Sequence, residues 1–162
     1  MICALFVDDH HLRQDQLKAF LTSKAQDDAT SHTSEALHVL IADDHKVVRD
    51  NLRALLAEQQ PHWQISEAAN GQEAIELIRE NTPDVAVLDI VMEPIGGVAA
   101  AYDIRRIAPA TKIVFISSHY SVGEASIVTR LLGAGAFVSK TDVARSLVPT
   151  IVRLIKDKSQ PV

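Results

Sequence analysis

From His38 onward, short continuous apolar runs alternate with stretches whose apolar residues recur at helical spacing. Val39-Leu40-Ile41-Ala42, Val85-Ala86-Val87-Leu88 and Ile113-Val114-Phe115-Ile116 are rich in β-branched residues and short enough to be buried strands. Trp63-Gln64-Ile65-Ser66 and Phe137-Val138-Ser139 are weaker strand signals. Val47, Val48, Leu52, Leu55 and Leu56 fall on one helical face, and helical patterns follow over Gly71–Glu80, Gly97–Ile107, Val122–Leu132 and Val143–Ile155. Asn70-Gly71, Thr82-Pro83 and Pro109-Ala110-Thr111 supply the breaks. Strand then helix, five times over, predicts an α/β fold whose parallel sheet is covered on both faces.

The first 36 residues follow a different pattern. Residues 23–36 are rich in Ser, Thr, Asp, Ala and Gln and read as a polar linker. Before it, Ala4–Leu21 repeats Val39–Leu56 at an offset of 35, with identity at eight of eighteen positions. Asp8, Asp9, His10, Asp15, Leu17 and Leu21 match Asp43, Asp44, His45, Asp50, Leu52 and Leu56. The duplicated piece is one strand-helix unit, too small to build a core of its own. The expected organisation is therefore a partial duplicate over 1–22, a linker over 23–36 and one domain over 37–158.

Composition narrows the function. A chain of 162 residues with 47% apolar and 23% charged residues is ordinary globular material. Its net charge of −5 argues against binding nucleic acid through phosphate neutralisation. The single cysteine, Cys3, cannot form an internal disulfide. None of the seven histidines shows ligand spacing with cysteines, so none is assigned to a metal. No apolar run reaches the roughly 20 residues that span a bilayer, and the apolar start lacks a basic leader. The expectation is a cytoplasmic protein without a membrane partner.

In an open parallel sheet, chemistry collects where strand C-termini meet the following loops. Four strand ends present polar residues there: Asp43-Asp44, Asp89, Ser117-Ser118 and Lys140. Three carboxylates on one rim repel unless a cation lies among them, and oxygen donors suit a hard ion such as Mg2+. Taken singly, an Asp-Asp pair before a helix is an N-cap with a first-turn acid, and a lone Lys is a solvated end-of-strand charge. Their joint placement at matching strand ends favours a common site.

These residues resemble a family, the receiver domains of bacterial two-component response regulators. Val39-Leu40-Ile41-Ala42-Asp43-Asp44-His45, followed by Arg49, Leu52 and Leu55-Leu56, is similar to the opening of receivers that precede LuxR-type DNA-binding domains. Val87-Leu88-Asp89-Ile90-Val91-Met92, with Gly97 eight residues after the aspartate, resembles the phosphoacceptor loop. Gly135-Ala136-Phe137-Val138-Ser139-Lys140 resembles the loop that carries the family's lysine. The resemblance implies a flavodoxin-like, doubly wound five-stranded sheet of order 2-1-3-4-5.

It also implies roles. Asp89 would take a phosphoryl group from a sensor histidine kinase or a histidine phosphotransfer protein. Asp43 and Asp44, with Asp89 and the backbone carbonyl of Val91, would hold Mg2+. Lys140 would pair with Asp89 and then with the phosphoryl oxygens, Ser117 would donate its hydroxyl, and Phe137 would be the aromatic switch residue. Output would pass through the face of the fourth helix, fifth strand and fifth helix, to a partner or a second copy. Ser117 fits the strand end, whereas Ser118 fits the spacing to Lys140. Glu93 stands where the family usually has proline, with Pro94 next, and Thr141 replaces the proline that often follows the lysine.

Other classes are weaker. Mg2+-dependent phosphohydrolases also form an acyl phosphate on a strand-end aspartate, but they typically need a second acid two positions on, where this chain has Val91. No GxxxxGK loop or GxGxxG turn is present to cradle a nucleotide. A pseudo-receiver that ignores phosphate would not need the complete set of acids and lysine. The chain leaves no length for a helix-turn-helix after the fifth helix. Two outputs stay open: docking by a single-domain receiver, or the receiver piece of a LuxR-type transcriptional regulator. Direct nucleic-acid binding by this chain is not expected.

Overall fold

The computed structural model describes residues 36–157. The repeat at 1–22 and all of the 23–36 linker except its last residue lie outside the described residues. Five strands and five helices alternate: β1 (His38–Ala42), α1 (Lys46–Gln59), β2 (Gln64–Ala68), α2 (Gly71–Glu80), β3 (Val85–Asp89), α3 (Gly97–Ile107), β4 (Lys112–Ser117), α4 (Val122–Leu131), β5 (Ala136–Ser139) and α5 (Val143–Lys156). The strands pair in parallel in the order β2-β1-β3-β4-β5, as the family resemblance implies.

Side-chain alternation along the strands divides the core into two layers. Val39, Ile41, Val85, Val87, Val114 and Ile116 pack with Leu52 and Leu56 of α1 and Leu147 and Ile151 of α5. Leu40, Leu88, Ile113 and Phe115 face the other way, against Ala74 and Ile78 of α2 and Ala100 and Ile104 of α3. Because β1, β3 and β4 are covered on both faces, their sequences read as continuous apolar runs rather than alternating ones.

Element ends have local causes. Asn70 caps α2 by accepting the Glu73 N–H at 2.9 Å, and Ser121 with Glu124 forms a capping box on α4. The α5 helix continues through Pro149, although an interior proline costs about 3 kcal/mol. The buried stripe of Leu147, Val148, Ile151 and Leu154 holds it to the sheet. β2 departs from expectation, starting at Gln64 and running on to Ala68. It is an edge strand, so all its residues but Ala68 are at most partly covered and Glu67 can sit in it, held by Arg53 at 2.6 Å.

Candidate functional site

The sheet's parallel register delivers four polar strand ends to one rim. Asp43 follows β1, Asp89 ends β3, Ser117 ends β4 and Lys140 follows β5. The Ile90 N–H donates to the Ile116 carbonyl at 3.0 Å, and the Lys140 N–H donates to the Ser117 carbonyl at 3.0 Å. These bonds carry the β3-β4 and β4-β5 pairing past the last strand residues and fix the loops that bear the side chains.

Asp43 is fully buried and Asp89 nearly so, while Asp44 is partly exposed. The Lys140 ammonium reaches between the two buried acids, 2.7 Å from Asp43 Oδ2 and 3.1 Å from Asp89 Oδ2. Its contact with Asp89 is a hydrogen bond, whereas that with Asp43 is an ion pair without hydrogen-bond alignment. Asp43 Oδ2 is thus buried directly against the Lys140 ammonium. The other oxygen, Oδ1, accepts the His45 backbone N–H at 2.9 Å. The Val91 N–H approaches Asp89 Oδ1 at 3.3 Å, and Arg49 donates to the Asp43 carbonyl at 2.8 Å.

Helix capping does not account for the acidic pair. The residue capping α1 is His45, its side chain makes no cap bond, and the first turn of α1 contains no acid. Asp43 and Asp44 instead converge with Asp89 and His45, so that one donor atom from each lies within 4.8 Å of all the others. His45 is the member that ligand spacing does not reveal. Its ring Nδ1 stands 2.8 Å from Asp44 Oδ1 and 3.3 Å from Asp43 Oδ1.

The electrostatics follow from this packing. Burial pushes the Asp89 carboxyl above its ordinary range; the Lys140 hydrogen bond opposes that, and the Asp43 charge reinforces it. Burial alone would lower the Lys140 ammonium, but the two carboxylates outweigh it and hold its pKa above the usual lysine value. A carboxyl raised in the folded state contributes stability below its unfolded pKa, and that contribution is lost as pH rises through the folded value. At neutral pH, ionised Asp89 therefore opposes folding. Asp89→Asn is expected to raise the melting temperature at pH 7, with the gain vanishing below about pH 4, near the ordinary carboxylate range. Thermal unfolding of both proteins across that pH range checks the sign.

Ser117 is buried, and its Oγ accepts the His119 N–H at 3.1 Å. Ser118 is exposed and lines a groove of about 400 Å³ with Val48, Leu52 and Leu55 of α1 and Val143 of α5. Phe137 is half-buried and borders a cleft of about 600 Å³ between α4 and α5, which Arg130, Arg153 and several hydroxyls also line. Val91 sits in the loop two residues beyond Asp89, its side chain half exposed. Among the described residues, no helix is long and apolar enough to cross a membrane.

This arrangement has close relatives. The response regulator protein VraR of Staphylococcus aureus is 30% identical over 125 residues, covering 76% of this chain and 58% of its own length. The transcriptional regulatory protein DegU of Brevibacillus brevis is 29% identical over 117 residues, covering 71% of this chain and 48% of its own length. The chain thus spans about half the length of these curated relatives. A LuxR-family two-component response regulator from Aurantimonas sp. SI85-9A1 superposes with a TM-score of 0.69 at 30% identity, covering 76% of this chain and 87% of that one. The sequence model of the response regulator receiver domain matches residues 39–151, from the first residues of β1 into α5, and so encloses every strand end of the rim. The chain belongs to the response regulator receiver family.

Proposed function

We propose that this chain is a phosphoacceptor: Asp89 takes a phosphoryl group from a phosphohistidine, and a divalent cation assists. The observation that carries this reading is the Lys140 ammonium held between two buried carboxylates at 2.7 and 3.1 Å, beside a third acid. In the transfer, an Asp89 carboxylate oxygen bonds to phosphorus while the phosphorus–nitrogen bond breaks. The donor imidazole keeps the electron pair of that bond and, because its other ring nitrogen carries a proton, leaves as neutral imidazole. A loose phosphoryl transition state needs alignment and charge neutralisation more than bond-making help. Lys140 supplies both, because it already spans the attacking carboxylate. Ser117 is the hydroxyl we assign to the phosphoryl oxygens, as it is buried at the end of the adjacent strand, whereas Ser118 is exposed toward the α1–α5 groove.

The donor set fits Mg2+. Asp43, Asp44 and Asp89 offer hard oxygen donors that converge within 4.8 Å, and the Val91 carbonyl lies in the adjoining loop. When bound, such an ion would neutralise charge on the phosphoryl oxygens. Phosphate on Asp89 would then draw on Ser117 and Lys140 and bias β5, Phe137 and the α4–β5–α5 face toward a form that a partner or second copy binds better.

The test is intact-mass analysis after incubation with acetyl phosphate and Mg2+. A labile phosphate adduct is expected, prevented by EDTA and missing in Asp89→Asn. Amide exchange with and without the adduct should differ within residues 118–157. An adduct of equal yield in the Asp89 variant would refute the assignment.

The domain limits are also ours to propose. Residues 36–157 hold the five strands and both core layers described above. Deletion of residues 1–34 is expected to leave a folded receiver that still labels at Asp89. Failure of that truncated chain to unfold cooperatively would move the boundary.

A further inference from the structure

Asp43 has a second polar group to satisfy besides its carboxylate. The whole residue is shielded from solvent, so its main-chain carbonyl needs a donor from the protein. β1 ends at Ala42, and the Asp43 N–H still donates to the Ala68 carbonyl at 3.2 Å. Among the described residues, no backbone N–H reaches the Asp43 carbonyl in return. The donor is a side chain instead: Arg49 Nη1, from the first turn of α1, at 2.8 Å.

Arg49 is only 16% exposed, yet it is no counter-ion of the rim. It makes no ion pair with Asp43, Asp44 or Asp89; its acid is Glu67 of β2, whose Oε1 lies 3.8 Å from Arg49 Nε. Glu67 stands opposite Ile41 in the parallel register, close to the end of β1 that carries Asp43. Glutamate is a poor strand residue, but this one serves two arginines, with its other oxygen 2.6 Å from Arg53 Nη1. A guanidinium holds its donors in a rigid planar fork. Turning one edge toward Glu67 therefore aims another at the Asp43 carbonyl.

We propose that Arg49 is the positioning residue of the acid pair. Oriented by Glu67, it fixes the peptide between Asp43 and Asp44, and with it the direction in which both carboxylates leave the backbone. The use made of that turn rests on the phosphoacceptor reading above; the contact that holds it does not. Charge and position here have opposite signs. A guanidinium near the acids would by itself oppose a divalent cation, so removing its charge alone should tighten Mg2+ binding. Losing the positioning contact should weaken it.

The first measurement is amide exchange on the metal-free full chain, as wild type and Arg49→Met. The His45 N–H closes the turn onto Asp43 Oδ1 at 2.9 Å. In the variant its exchange rate should rise roughly tenfold more than those of the β3 and β4 amides. The second is calorimetric titration with Mg2+. Arg49→Met should bind roughly tenfold more weakly, as when a residue that orients metal ligands is removed. The Mg2+ needed for half-maximal labelling by acetyl phosphate should rise by the same factor, with labelling at saturating Mg2+ close to wild type. Arg49→Lys, which keeps the charge without the fork, should shift in the same direction. Arg53→Met, which strips a cation from Glu67 without touching Asp43, should leave Mg2+ binding within about twofold of wild type. An equal rise in exchange at His45, β3 and β4 would mark a general loss of stability and overturn the inference. So would Mg2+ binding in Arg49→Met as tight as wild type or tighter. Failure of the acceptor reading looks different: Asp89→Asn would label like wild type, while exchange at His45 still reports on Arg49.

Discussion

Replacing Lys140 by alanine should destabilise the protein by on the order of 3 kcal/mol at neutral pH without divalent cation, and should nearly abolish phosphoryl uptake. The Lys140 side chain is only 16% exposed, and the carboxylates its ammonium separates are buried. Deleting one partner of a buried charge cluster leaves the others uncompensated, which costs far more than the net worth of the intact cluster. Two measurements separate this cause from simple loss of packing. Mg2+ should raise the melting temperature of the variant more than that of wild type, because the ion replaces the missing positive charge. The variant should also recover stability as pH falls, since Asp89 is already displaced upward and loses its main counter-charge. A Lys140→Ala protein as stable as wild type at pH 7 in EDTA would remove the electrostatic basis of the site.

How much of this was readable beforehand depends on which forces fix each feature. β1, β3 and β4 were legible because both faces are buried, so sterics and burial leave continuous apolar runs. Most of the rim was legible for the same reason: Asp43, Asp89 and Ser117 each end such a run, whereas Lys140 follows the weaker, alternating edge strand β5. β2 was misplaced by a residue or more, because an edge strand that tolerates Glu67 has no apolar signature and the half-buried Trp63 just before it misled the pattern. The choice between Ser117 and Ser118 stayed open in the sequence because one residue of register decides it. In the fold, β4 ends on Ser117 and buries it, whereas Ser118 turns outward. The contact of His45 with Asp43 and Asp44 was invisible because ligand-spacing rules look for recurring Cys and His. Its place depends instead on how an exposed ring turns at a helix cap, which no periodicity encodes.

Gly97→Ala is the second large effect, and local propensity predicts the opposite sign. Alanine is the better helix former by about 1 kcal/mol in a helix interior, and Gly97 opens α3. The tertiary setting overrides this. The helix begins directly on the loop after Asp89, with the Gly97 N–H donating to the Ile90 carbonyl at 3.1 Å. A Cβ at this position would overlap the Asp89 carbonyl oxygen, with the Asp89 carbonyl carbon at 2.9 Å and Ile90 Cα at 3.2 Å. These are backbone atoms of the rim itself, so relief requires moving either α3 or Asp89, the acceptor we propose. Forced overpacking of this kind costs about 1–3 kcal/mol. Gly123→Ala is the matched control, because in α4 the added Cβ meets only Ser121 Oγ, at 4.0 Å. Denaturant unfolding should show Gly97→Ala destabilised and Gly123→Ala neutral or slightly stabilised. Labelling by acetyl phosphate should fall in Gly97→Ala even at a temperature where that variant is fully folded, since the displaced atoms carry Asp89. Equal stability and equal labelling of the two variants would show that α3 does not hold the acceptor loop in place.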